Sequence, residues 1–191
     1  MDYDIAIIGY GPVGAMAANM FGSSGLNIVV IEPKKEIWNI PRAVALDGQA
    51  QRIFQSCGIS NNIPVKPIDG LTFINKKGQQ IVYVDFTDHS TPNGYSETVG
   101  FSQPNLERTL REKAESYKNI TFKLGSSLSN LVASENNNEL TVINNLTKET
   151  EIVSSKYLLA CDGADCFVRK KLDIPSFDYN CEQDWIVVDY E

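Results

Sequence analysis

The sequence predicts an α/β fold built around a parallel β-sheet, and three observations carry that prediction. Residues 4–9 (DIAIIG) form a short apolar, β-branched run ending in glycine, as a buried strand does. Residues 12–21 are rich in Ala and Met and hold no β-branched residue after Val13, which favours a helix. Residues 27–32 (NIVVIE) are a second buried-type run, after Gly25 has closed the helix. Strand, helix and strand within the first 32 residues make a βαβ unit, so parallel pairing and a right-handed crossover follow.

The remaining elements are read in order. Pro33 and Pro41 exclude a continuous helix between residues 33 and 47, and residues 48–57 (GQAQRIFQSC) offer a short amphipathic helix stopped by Gly58. Residues 71–75 and 80–86 flank the turn signal Lys76-Lys77-Gly78 and predict a hairpin. Residues 89–100, with Pro92, Asn93 and Gly94, read as a polar loop. Pro104 opens a helix whose apolar stripe is Leu106, Leu110, Ala114 and Tyr117. Four short strands at 120–123, 128–134, 139–144 and 151–154 suggest a β-meander set into the α/β frame. A further apolar run at 157–161 (YLLAC) precedes Asp162-Gly163 and a helix over 164–172, and residues 185–190 (WIVVDY) read as a last strand.

Composition bounds the function. The chain has 191 residues, 42% hydrophobic and 21% charged, which suits one domain plus a piece of a second and sets aside disordered, collagen-like and coiled-coil classes. With 24 Asp+Glu against 17 Lys+Arg the net charge is −7, so no overall positive field attracts nucleic acid or an anionic membrane. The four cysteines (Cys57, Cys161, Cys166, Cys181) form no C-x-x-C pair and the one histidine is His89, so zinc spacings are missing and four reduced thiols are expected. No apolar run approaches the roughly 20 residues that span a bilayer, and no basic leader precedes the strand at Tyr3. The expectation is a soluble, cytoplasmic protein with no metal, no membrane and no nucleic-acid partner. His89 reads as a surface residue, because no G-x-S-x-G or similar nucleophile motif accompanies it. Trp38 and Trp185 read as packing residues.

Gly9-Tyr10-Gly11-Pro12-Val13-Gly14 fits G-x-G-x-x-G between a buried strand and a helix. Gly9 serves the tight turn, Gly11 lets a pyrophosphate approach the backbone, and Gly14 lets helix and strand pack closely. Glu32 lies 23 residues after Gly9 at the end of the second strand, where a carboxylate accepts hydrogen bonds from an adenosine ribose and repels a 2′-phosphate. These features argue for FAD or NAD without choosing between them.

Three further segments resemble the single-component aromatic hydroxylases, which are FAD-dependent monooxygenases. They are Pro41-Arg42-Ala43, Gln103-Pro104-Asn105-Leu106-Glu107, and Cys161-Asp162-Gly163-Ala164-Asp165-Cys166. The segment Asp184-Trp185-Ile186-Val187-Val188-Asp189 looks most like the hydroxyphenylpropionate hydroxylase branch. Cys166 departs from the family's serine, and a thiol is a weaker hydrogen-bond partner. The resemblance implies FAD as cofactor, NADH or NADPH as electron donor, and a small phenolic acid and O₂ as substrates; it leaves room for a homo-oligomer. It implies a cofactor set of Gly9, Gly11, Pro12, Val13, Gly14, Glu32, Arg42, Gln103, Leu128, Asp162 and Gly163, with no catalytic side chain and no metal ligand. Arg42 and Gln103 are expected on the flavin side and partly exposed. By themselves, Arg42 reads as a solvated loop charge, Gln103 as a cap of its helix, and Asp162-Gly163 as a capping turn.

The fold implied is a Rossmann-like FAD-binding domain with a β-meander crossover over residues 1–70 and 101–176, and strands of a β-sheet substrate domain over 71–100 and 177–191. The family's second flavin motif, a G-D stretch, belongs beyond residue 191, so these residues are expected to be an N-terminal part that binds FAD without hydroxylating alone. Another FAD- or NAD-dependent oxidoreductase, or a non-catalytic FAD-binding fragment, is the alternative.

Overall fold

The structure, a computed structural model, describes residues 2–40, 43–87, 91–184 and 186. Its main sheet has six strands: β1 (Tyr3–Ile8), β2 (Ile28–Glu32), β8 (Ile120–Leu124), β9 (Ser126–Ala133), β10 (Asn138–Asn144) and β11 (Thr150–Ala160), in spatial order β8-β2-β1-β11-β10-β9. The strands β8, β2, β1 and β11 run parallel, with Ile8 beside Ile31 on one side and Ala160 on the other. The meander β9-β10-β11 is antiparallel and delivers β11 to the free side of β1.

Residues Ile5 to Ile8 and Ile28 to Ile31 are all buried, because a parallel sheet is covered on both faces. Ile5, Ile7, Ile28 and Val30 pack with Ala15 and Ala18 of α1 (Pro12–Gly22) and with Leu106, Leu110 and Ala114 of α3 (Gln103–Glu115). Ala6, Ile8, Val29 and Ile31 face the other way, onto Leu131, Leu140, Val142 and Val153 of the meander and Val168 of α4 (Phe167–Lys171). Buried Asn19 ties the two helices on the first face: its amide nitrogen lies 2.8 Å from both the Ala15 and the Leu110 carbonyl oxygens.

Between β2 and α3 the chain forms two smaller sheets and α2 (Gly48–Ser56), which Asp47 caps through the Ala50 N–H at 2.8 Å. The three-stranded sheet is β3 (Ala45–Asp47), β7 (Thr98–Phe101) and β4 (Val65–Pro67), with β7 in the middle. The hairpin is β5 (Gly70–Ile74) with β6 (Gln80–Asp85), and its apolar residues, Phe73 and Ile81 among them, are exposed.

Several elements differ from the sequence expectation. Residues 98–101 are a strand and not the end of a polar loop: Val99 is buried between β3 and β4. The runs at 151–154 and 157–161 are one strand, β11, whose first half pairs β10 and whose second half pairs β1. The helix expected from residue 164 begins at Phe167, after a turn that Asp162 stabilises. The strand expected at 185–190 lies outside the described residues apart from Ile186.

Candidate functional site

The carboxyl ends of β1, β2 and β11 open onto a cavity of about 580 Å³, inside the range of small-molecule and cofactor pockets. Its floor is the loop from β1 to α1. Gly9 adopts φ +96°, and a Cβ there would sit 2.3 Å from the Cys161 carbonyl oxygen. A Cβ on Gly14 would sit 2.0 Å from the Gly9 carbonyl oxygen, so helix and strand meet only because that atom is missing. A Cβ on Gly11 would meet nothing within 4 Å. Gly11, Pro12 and Val13 line the cavity, and α1 starts with no side-chain cap and no acidic residue in its first turn. Its first N–H groups and the positive end of its dipole are therefore available to an anion.

Glu32 stands at the wall, half-buried. Its Oε2 accepts from the Tyr10 N–H at 2.7 Å and its Oε1 from the Lys34 N–H at 2.9 Å. A carboxylate has about four acceptor positions, so these two bonds leave capacity for ligand hydroxyls. Across the cavity, Asp162 Oδ2 accepts from the Phe167 N–H at 2.7 Å and the Val168 N–H at 3.3 Å, capping α4. Its Oδ1 is buried without a hydrogen-bond partner among the described residues. One carboxylate oxygen thus caps the helix while the other is buried, and Asp162 as a residue lines the cavity. Cys166 also caps α4, its Sγ accepting from the Arg169 N–H at 3.2 Å, so the thiol does take up the bond.

Gln103 lines the cavity but is not partly exposed as expected; it is 7% exposed and held by protein partners. Its Nε2 donates to Glu107 Oε1 at 2.9 Å and its Oε1 accepts from the Ala43 N–H at 3.0 Å. The side chain thus reaches across to the loop after residue 42. Leu128 and Gly163 also line the cavity. Arg42 and His89 lie outside the described residues.

Three features escaped the sequence reading. Glu107 and Arg111, 2% and 7% exposed, continue a polar row from Gln103 along α3. Arg111 Nη2 lies 3.9 Å from Glu107 Oε2. The signal was a polar residue at every fourth position, one step along from the apolar stripe. Trp38 is not a packing residue: it is 42% exposed, lines the cavity, and carries the Lys34 ammonium 3.8 Å from its ring centroid.

All four cysteines are unpaired. Burial first, and then the neighbouring Asp162 carboxylate, push the Cys161 thiol up; burial is also the larger cause at Cys166. Both should alkylate with iodoacetamide more slowly than exposed Cys181, and a cavity ligand should slow Cys161 further. A mass-spectrometric time course with Cys161 labelled first would contradict this. Among the described residues no cluster of three or more His, Cys, Asp or Glu side chains could hold a metal ion, and no helix is long and apolar enough to cross a membrane.

Residues 2–190 match the sequence model of a family described as FAD binding domain. The 3-(3-hydroxy-phenyl)propionate/3-hydroxycinnamic acid hydroxylases of Escherichia coli O8 (strain IAI1) and O81 (strain ED1a) are each 31% identical to it over 188 residues, which are 97% of this chain and 33% of the relative. The chain thus spans about a third of the length of the curated relatives it matches. Among solved structures, the flavin-dependent monooxygenase PieE in complex with FAD and substrate superposes with a TM-score of 0.80 at 21% identity, covering 91% of this chain and 32% of that one. The p-nitrophenol 4-monooxygenase PnpA from Pseudomonas putida DLL-E4 gives 0.80 at 19% identity, covering 89% and 43%. At such identities the likeness is one of fold.

Proposed function

We propose, from the premise that this chain belongs to the FAD binding domain family, that it is the cofactor-binding part of an NADH- or NADPH-dependent flavoprotein monooxygenase acting on a phenolic acid such as 3-(3-hydroxyphenyl)propionate. The observation that carries the reading is one cavity lined by bare glycine backbone, an uncapped helix start, Glu32 and Asp162. Donors for a diphosphate and acceptors for sugar hydroxyls are what FAD requires, so the residues fit the cofactor.

In this reading Gly9, Gly11, Pro12 and Val13 take the diphosphate, Gly14 belongs to the site by closing α1 onto β1 behind them, and Glu32 takes the adenosine ribose. Gln103, Leu128, Asp162 and Gly163 bound the rest of the cofactor, with Arg42 on the flavin side. When bound, the flavin supplies electron transfer from the nicotinamide and activation of O₂, chemistry no side chain offers. The chain's own part is to bind, orient and exclude water. The protein is read as cytoplasmic, with residues 1–70 and 101–176 as the FAD-binding domain and 71–100 and 177–191 contributing to a substrate domain. The exposed apolar side chains of β5 and β6 support the second assignment, since a further sheet would cover them.

Product formation tests the reading. With FAD, NADH or NADPH and O₂, the polypeptide that carries this chain should convert 3-(3-hydroxyphenyl)propionate to a hydroxylated product in proportion to the nicotinamide oxidised. Nicotinamide oxidation with no hydroxylated product from any of a panel of phenolic acids would refute it.

A further inference from the structure

We propose that Arg111 is a positioning residue for the cofactor's diphosphate: it holds the Tyr10–Gly11 peptide with its carbonyl toward α3 and its N–H toward the cavity. The inference rests on the FAD reading and names what orients the loop within it.

Arg111 Nη2 donates to the Tyr10 carbonyl oxygen at 2.8 Å, and the guanidinium carbon stands 4.5 Å from the centroid of the Tyr10 ring. Arginine's planar fork allows both contacts together, and lysine's point charge does not. The preceding peptide is fixed as well, since the Tyr10 N–H donates to Glu32. The loop is thus pinned on both sides of Tyr10, between two glycines whose backbone would otherwise turn readily.

In a planar trans peptide the carbonyl and the following N–H point in opposite directions. The bond that turns the Tyr10 carbonyl to Arg111 therefore turns the Gly11 N–H the other way. That amide makes no hydrogen bond among the described residues, and Gly11 borders the cavity with open space where a Cβ would be. A flipped peptide would present a carbonyl oxygen to the diphosphate, replacing attraction by repulsion. The Glu107 carboxylate balances the guanidinium charge from 3.9 Å, and Glu107 is in turn held by Gln103.

The test compares ADP with adenosine, which differ by the diphosphate. Arg111→Lys keeps the charge beside Glu107, and the double variant Glu107→Gln/Arg111→Met removes both charges together. Both should bind ADP about tenfold more weakly, as for one charge-assisted hydrogen bond lost, while adenosine affinity moves by less than about twofold. In the wild type the Gly11 amide resonance should shift with ADP and stay in place with adenosine, a readout that survives if a variant fails to fold. Equal losses for both ligands, wild-type ADP affinity in Arg111→Lys, or an unmoved Gly11 amide would overturn the proposal. A wild-type chain that binds neither ADP nor FAD would instead refute the FAD reading beneath it.

Discussion

Gly14→Val should leave the first βαβ unit unable to close, lowering stability by about 3 kcal/mol or more, at or above the top of the usual overpacking range. The added Cβ would lie 2.0 Å from the Gly9 carbonyl oxygen and 2.9 Å from its carbon. Both are backbone atoms of the β1–α1 turn, and no rotamer change relieves the clash. Gly11→Ala provides the contrast. Its backbone is extended, at φ −70° and ψ −171°, and its Cβ meets nothing within 4 Å, so stability should change by less than about 0.5 kcal/mol. That methyl group occupies the cavity side of the loop, and FAD affinity should fall. Urea unfolding followed by circular dichroism, with FAD titration of the folded variant, separates the two roles. A stable Gly14→Val chain would show that α1 does not pack on β1 as described.

Glu32→Ala should weaken FAD binding by about 1–3 kcal/mol, the scale of charge-assisted hydrogen bonds lost from a partly buried site. The same carboxylate accepts from the Tyr10 and Lys34 N–H groups, so its loss also loosens the floor and wall of the cavity. Flavin fluorescence titration of wild type and variant reads the difference. Unchanged affinity would remove Glu32 from the site.

The parts legible in the sequence were those whose cause is local. The β1-α1-β2 unit announces itself by two apolar runs about a helix, and the glycines and Glu32 follow from it by spacing alone. The meander was legible from its turn residues. What escaped depends on distant partners. The strand β11 was read as two because Ser154, Ser155 and Lys156 interrupt its apolar pattern. Ser155 is buried there, opposite Tyr3 on one side and Asn138 on the other, where the strand passes from one neighbour to the next. The strands β3, β4 and β7 are three or four residues long, too short for alternation to show. Gln103 was singled out by resemblance, and its burial was not legible, because Ala43 and Glu107 enclose it. Arg111 was invisible because its partner, Tyr10, lies 101 residues away.

The central claim is that this cavity is an FAD site, and equilibrium dialysis of the wild-type chain against FAD, with ADP and NAD⁺ as competitors, tests it most directly. FAD should be retained, displaced by ADP, and undisturbed by an equal concentration of NAD⁺. Tighter retention of NAD⁺ than of FAD, or FAD retention that ADP does not affect, would contradict the assignment of the glycine loop and Glu32 to the adenosine diphosphate half of FAD.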